Sequence, residues 1–303
     1  MEENMLGKDS LKVDFIGIGI RKSATTWIAK CLGEHPQICF SSKKEIHFFD
    51  KLFNFRKGIK FYKKFFSHCS PEKIKGEFSA PYIFNKRAPR LIYQTFPEAK
   101  IIACIRNPIE RAFSSYRSEG IRGKGSLSVY KNFEEALKKR PALTENGFYY
   151  KHLKRYFDLF PRENILVLIY EDIEKDPVHF IQNIYRFLGV DDSFSPQQAQ
   201  KRVGPTAKRK EEKARIPLLN SLLYKLANWL GKDNLLYDLL DALGIIALSQ
   251  KFLEINKREL NGETEKREFP SLNPQTRKYL RNLYREDVRK LEKLLGRDLS
   301  FWK

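Results

Sequence analysis

Cysteine, methionine and histidine are scarce in this chain, at four, two and five among 303 residues. Cys31, Cys39, Cys69 and Cys104 show no C-x-x-C spacing and sit mostly in apolar contexts, which reads as buried thiols in a reducing, cytoplasmic setting rather than disulfides or zinc. No cluster has metal-ligand spacing, so no metal is expected. No run approaches a membrane span, and residues 1–10 read as a flexible polar tail rather than a signal peptide. Internal repeats and low-complexity tracts are also missing. Acidic residues number 37 against 57 Lys and Arg, a formal charge of +20. That excess attracts nucleic acid, acidic membrane or acidic glycan alike, selects no specific nucleic acid, and equally describes a solvated basic surface.

What the chain does have is an alternation of strand and helix patterns. Val13–Ile20, Ile38–Phe40, Lys73–Glu77, Ala99–Ile105 and Asn164–Tyr170 read as strands, and several are apolar on both faces, as in a parallel sheet. Helical spacing covers 86–96, 133–140, 144–160, 177–189 and 276–295, and Pro108 opens a further helix. Gly120–Ser128 reads as a mobile loop over the site. The order predicts an α/β fold: a single P-loop-like domain over 11–303, with a central parallel β-sheet flanked by helices and a helical C-terminal part. Residues 190–270 are expected to form a lid and helical insertion. Its basic stretch 197–215 reads as a lid or a solvated linker, and two short amphipathic helices in 216–255 serve packing, a homodimer contact or a membrane surface.

Phe15 to Ile28 reads as strand, tight loop and helix. Ser23, Thr25 and Thr26 are placed to cap that helix, so N–H groups converge between Lys22 and Thr26. With the helix dipole and the Lys22 cation they make an anion site suited to phosphate. The nucleoside-triphosphate pattern G-x-x-x-x-G-K-[ST] is not met, because Arg21 precedes Lys22 and Ile16 stands at the first glycine. Arg106 ends a later strand and Ser114 lies on the second turn of the next helix, a pairing that suits a second phosphate. Between them, Lys44-Glu45-Ile46-His47-Phe48-Phe49-Asp50 sets a carboxylate and an imidazole two apart against aromatics. Read locally, this is either a general base or a satisfied core histidine beside a Lys44–Glu45 pair.

Three motifs in this order resemble the sulfotransferases that use 3′-phosphoadenosine 5′-phosphosulfate (PAPS). Gly19, Lys22, Thr25 and Thr26 match their G-x-x-K-x-G-T-T loop for the 5′-phosphate, with Ala24 in place of glycine. That departure matters where the backbone needs φ > 0 or the phosphate needs the room of a missing methyl. Arg106, Asn107, Pro108, Arg111, Ala112 and Ser114 match R-N-P-x-x-R-A-x-S, which holds the 3′-phosphate. The segment 44–50 resembles the K-E-x-H-F-F-D of glycan sulfotransferases, closest to the heparan sulfate N- and 3-O-sulfotransferases. Glu77, Ser79 and Tyr82 fit E-K-[ST]-P-x-Y with Phe78 at the lysine, and 291–302 fit L-E-x-L-L-G-x-D-L-x-x-W.

The resemblance implies sulfonate transfer from PAPS to a hydroxyl or amine, without a metal. Glu45 is then the general base, Lys22 stabilises the leaving phosphate, and His47 orients the base or the acceptor. Arg21, Lys22, Ser23, Ala24, Thr25, Thr26, Trp27, Arg106 and Ser114 hold the donor. Lys44, Asp50, Ser79 and Tyr82 meet the acceptor, a glycan or glycolipid. Two other readings stay open: an ATP/Mg-dependent P-loop kinase, and a non-catalytic polyanion-binding module.

Overall fold

The structure, a computed structural model, describes residues 11–121, 130–201 and 271–302, together with 212–214, 239–240, 243–245, 248–249 and 257–259. The chain forms two compact units, one of residues 1–107, 148–203 and 286–302, the other of 108–147, 204–285 and 303.

The first unit holds a five-stranded parallel sheet of β1 (Phe15–Gly19), β2 (Ile38–Phe40), β3 (Ile74–Phe78), β4 (Lys100–Ile105) and β5 (Ile165–Ile169), in the order β2-β3-β1-β4-β5. All five strands lie where the sequence pattern predicts them. The order reverses direction across β1, so ligand chemistry is expected beyond the carboxyl ends of β1 and its neighbours.

Register between β1 and β3 is pinned by two reciprocal large-on-small pairs. Phe15 faces Gly76 and Gly17 faces Phe78. A Cβ on Gly17 would lie 2.1 Å from the Phe78 ring, and one on Gly76 would lie 2.3 Å from the Phe15 ring. Each ring fills the space left by the facing residue's missing side chain, and a slip of two residues would set ring against ring.

Helices α1 (Thr25–Glu34) and α9 (Pro177–Leu188) pack on the sheet through Ile28, Leu32, Ile181 and Ile184 against Phe15, Ile102 and Leu168. Each such buried aliphatic contributes about 1.5–3 kcal/mol. The ends of α9 follow its sequence: Asp176 accepts the His179 N–H at 2.9 Å, Pro177 opens the helix, and Gly189 closes it at φ 79°. A second apolar cluster joins Phe48 and Phe49 to Tyr62, Tyr82 and Phe96, with Phe48–Tyr62 centroids 4.7 Å apart. Short helices α2 (Leu52–Phe55) and α3 (Gly58–Lys63) carry part of it; α4 (Ala88–Thr95) precedes β4.

The second unit contains α5 (Pro108–Ile121), α6 (Phe133–Lys139) and α7 (Ala142–Glu145). Asn132 and Glu135 form a reciprocal cap on α6: Asn132 accepts the Glu135 N–H at 2.9 Å while Glu135 accepts the Lys131 N–H at 2.8 Å. The expected single helix over 144–160 is instead α7 and α8 (Tyr149–Phe157), parted at Asn146–Gly147. Gly147 is needed there because a Cβ would come within 2.6 Å of the Tyr284 ring. A further short helix, α10 (Gln197–Gln200), and the long α11 (Pro274–Leu295) complete the helices named here. An antiparallel pair, β6 (Glu212–Ala214) with β7 (Lys257–Glu259), was not legible, since its charged residues carry no apolar alternation. The expected loop at 120–128 begins later than predicted, because α5 continues through Ile121; 122–129 lie outside the described residues, as do most of 202–270.

The cysteine expectation is corrected. Cys39 and Cys69 form a disulfide across 30 residues, with Cα atoms 5.7 Å apart. The fold brings together two cysteines that no short spacing relates, which withdraws the argument from cysteine usage for a reducing compartment. Cys31 and Cys104 are buried free thiols, and burial pushes Cys31 up to about 12. Among the described residues, no helix is long and apolar enough to cross a membrane.

Candidate active site

The strand β1 delivers the chain into a loop whose backbone turns through the left-handed region twice, at Lys22 (φ 76°) and Ala24 (φ 55°, ψ 15°). Ala24, at the position where the resembled pattern has glycine, therefore holds a conformation that costs an L-residue about 1–2 kcal/mol. The predicted capping of α1 by Ser23, Thr25 and Thr26 is corrected: Ala24 is the N-cap residue, and no side chain caps the first turn. The N–H groups of that turn are thereby left for an anion.

Ser23 is fully buried and its Oγ has no hydrogen-bond partner among the described residues. Arg106, at the end of β4, reaches the same loop, donating from Nη1 to the Lys22 carbonyl at 3.5 Å. Its guanidinium lies over the Tyr170 ring at 4.3 Å, and its buried Nε has no partner among the described residues. The structure thus joins Arg21, Lys22, Ser23, Ala24 and Arg106 in one place. Thr26 is exposed, whereas Thr25 is buried. The side chain of Trp27 packs on Phe180 and donates to the Gln198 carbonyl at 2.8 Å, so only its backbone amide is available to a ligand. Ser114 lies half-buried on α5 in the second unit. Arg111, which the motif also contains, is buried there and donates to the Leu143 carbonyl, a structural role.

The segment 44–50 is built on alternation. Glu45 and His47 both take φ 59°, and Ile46 between them is buried. Glu45 N–H donates to the Phe78 carbonyl at 3.1 Å, tying the segment to the end of β3. On the outer side, His47 Nδ1 donates to Asp50 Oδ2 at 2.9 Å, and His47 Nε2 lies 3.6 Å from Glu45 Oε2. Lys44 Nζ is 3.2 Å from Glu45 Oε1, and Arg21 Nη2 is 3.7 Å from Glu45 Oε2. Burial raises the Glu45 carboxyl, but Lys44, Arg21 and His47 together outweigh it and hold the group below its ordinary value. Glu45 is therefore ionised at neutral pH and able to accept a proton.

Beneath this segment lies a group the sequence did not single out for a role. Glu77 on β3 is fully buried and accepts three hydroxyls: Ser79 at 2.6 Å, Tyr82 at 2.7 Å and Tyr62 at 3.1 Å. Burial pushes its carboxyl up to about 7, against the pull of those hydrogen bonds. Ser79 in turn accepts the His47 N–H at 3.4 Å and Tyr82 accepts the Phe48 N–H at 3.0 Å. This corrects the placement of Ser79 and Tyr82 on the acceptor: both are fully buried and hold the segment from below. The available signal was a carboxylate and a serine two apart on a buried strand, which must find partners where no water reaches. Phe78, where the resembled motif has lysine, points into the core against Gly17.

The carboxyl-terminal signature is also structural. Glu292 accepts the Leu299 N–H at 2.9 Å, and buried Trp302 packs against Tyr149 at 6.1 Å. Glu171 accepts the Asn107 N–H at 2.9 Å, fixing the turn after Arg106.

A model of the sulfotransferase domain matches residues 12–213. Human heparan sulfate glucosamine 3-O-sulfotransferase 5 is 31% identical over 182 residues, covering 57% of this chain and 52% of that protein. The bifunctional heparan sulfate N-deacetylase/N-sulfotransferase 1 of Xenopus laevis is 24% identical over 308 residues, covering 94% of this chain and 30% of that protein. The chain thus spans about half or less of the length of these curated relatives. In fold it is similar to a crystal structure of a sulfotransferase from Alicyclobacillus acidocaldarius, with a TM-score of 0.64 and 23% identity over 97% of this chain and 99% of that one. None of these similarities supports the kinase reading. With two thirds of its length matched by the domain model and its parallel sheet shared with a solved member, the chain belongs to the sulfotransferase domain family.

Proposed function

We propose that the chain transfers a sulfonate group from PAPS to a hydroxyl or amine of a carbohydrate, with Glu45 as general base. The observation that carries this reading is the 3.7 Å approach of Arg21, in the phosphate loop, to Glu45, in the base segment. A donor phosphate on that loop and a base for the acceptor then share one site. The relatives are named for heparan sulfate, which supports a glycan or glycolipid acceptor.

The loop fits a nucleotide bisphosphate. An uncapped helix turn, and a buried Ser23 hydroxyl and a buried Arg106 Nε that have no partner among the described residues, are polar groups that such a ligand would satisfy. Lys22, Ser23, Ala24, Thr25, Thr26 and the Trp27 amide would hold its 5′-phosphate, and Arg106 its 3′-phosphate. When bound, PAPS supplies an activated sulfonate. Glu45 takes the acceptor's proton, a contribution of about 10²–10⁴ in rate. Lys22 offsets the negative charge that grows on the departing phosphate, and Arg21 and Lys44 keep Glu45 ionised. Asp50 fixes the His47 ring so that its Nε2 faces the base.

Thermal unfolding with adenosine 3′,5′-bisphosphate tests the donor half. Ligand at about 100 times its dissociation constant adds roughly 2.7 kcal/mol, and Lys22→Ala and Arg106→Ala should abolish the gain. Glu45→Gln should keep that gain and lose turnover. Stabilisation by ATP–Mg²⁺ alone would overturn the reading in favour of a kinase. Binding of heparin with no nucleotide effect would leave a polyanion-binding module.

A further inference from the structure

Three potential metal ligands meet at the sheet edge, at the two ends of the loop that carries the base segment. Cys39 on β2 is buried, Cys69 is half-buried, and His68 is exposed. His68 Nε2 lies 3.5 Å from Cys39 Sγ and 3.9 Å from Cys69 Sγ, and donates to the Phe40 carbonyl at 3.2 Å. The donor atoms all lie within 4.8 Å of one another. One imidazole nitrogen thus covers both sulfurs from the solvent side. The linkage closes a 30-residue loop that contains the whole of Lys44–Asp50 together with α2 and α3. Two thiolates and an imidazole nitrogen are the donor set that zinc prefers, and solvent can supply a fourth ligand at the exposed face.

We propose that Cys39, Cys69 and His68 form a redox-gated zinc site, a disulfide in the oxidised protein and a two-thiolate, one-imidazole clip in the reduced one. A dithiol reductant delivers two electrons and two protons to the cystine. The S–S bond breaks to two thiols, and the reductant closes to its own disulfide. Zinc then displaces both thiol protons and takes the Nε2 lone pair, while the imidazole hydrogen moves to Nδ1. Either state closes the same loop at the same point, so the base segment keeps its anchor under oxidising and reducing conditions. The proposal does not depend on the sulfonate-transfer reading.

The test uses the full-length protein, reduced with a dithiol, freed of it anaerobically, and titrated with Co²⁺ and then Zn²⁺. Reduced wild type should show a thiolate-to-cobalt charge-transfer band with single-site stoichiometry, bleached by zinc. The oxidised protein and Cys39→Ser should show none, although Cys31 and Cys104 remain in both. His68→Ala changes an exposed side chain, leaves the fold and both thiols in place, and should weaken zinc binding by about tenfold or more. A reduced wild type without the band, a band that survives in Cys39→Ser, or wild-type affinity in His68→Ala would each overturn the site.

Discussion

Ser79 donates its hydroxyl hydrogen to Glu77 across 2.6 Å, and the lone pair so oriented receives the backbone N–H of His47. Tyr82 repeats the arrangement one residue further on, between Glu77 and the Phe48 N–H. The buried carboxylate therefore fixes two hydroxyl rotors, and those rotors hold a backbone that passes through φ 59° at Glu45 and again at His47. Tyr82→Phe leaves the buried Phe48 N–H without an acceptor, at a cost of about 1–3 kcal/mol. Urea unfolding of the variant at the wild-type midpoint would contradict this account.

The same network makes stability depend on pH. Burial raises the Glu77 carboxyl to about 7 from an ordinary 4.5, against hydrogen bonds from Ser79, Tyr82 and Tyr62 and with help from the Asp50 charge. The native state therefore binds this proton more tightly than the unfolded chain does. The resulting stabilisation is complete below about pH 4.5 and is lost as pH rises through about 7. Glu77→Gln cannot titrate, so its Tm should vary less than that of wild type between about pH 5 and 8. Equal slopes would remove Glu77 from the explanation.

Ala24 sits at φ 55° in the phosphate loop. Ala24→Gly relieves the left-handed alanine but loosens the unfolded chain, and the first effect is the larger, a net gain of about 0.5–1 kcal/mol. Denaturant titration reads it directly, and a destabilised variant would mean the methyl contributes packing that outweighs the strain.

Glu45 is held below the ordinary carboxylate range by Lys44, Arg21 and His47 acting against burial. The acid limb of kcat/KM should accordingly lie below that range. Lys44→Met removes the largest of the opposing charges and should move the limb to higher pH. An unmoved limb would assign it to another group.

Opening the Cys39–Cys69 link in metal-free protein releases a 30-residue loop and should lower stability by about 3–4 kcal/mol. Calorimetry with and without reductant, in the presence of a chelator, measures it.

Much of this was legible beforehand. The strands announced themselves in the alternation of strand and helix patterns, most of them as apolar runs, α9 by its Pro start and Gly end, and the loop, base segment and Arg106 by their order along β1, β2 and β4. What stayed hidden was set by tertiary proximity. Tyr62 reaches Glu77 from 15 residues away and Cys39 meets Cys69 across 30, and neither distance leaves a local pattern. The left-handed turn at Ala24 was signalled only by the glycine that the resembled motif has there, because alanine itself gives no sign of a positive φ. Ser79 and Tyr82 were assigned to the wrong face, because their motif names residue types and not the side of the strand on which they fall.

The interlocked rings of Phe15 and Phe78 bear on how this site could change. Phe78 stands at the motif's lysine and fills the space above Gly17. A lysine introduced there alone would leave a cavity over Gly17 and place an ammonium in an apolar core. A larger residue at 17 alone would strike the ring. The two positions are therefore epistatic: each substitution is harmful unless the other has already occurred, so a lineage with Gly17 and Phe78 is separated from a lysine at this position by a step that selection resists.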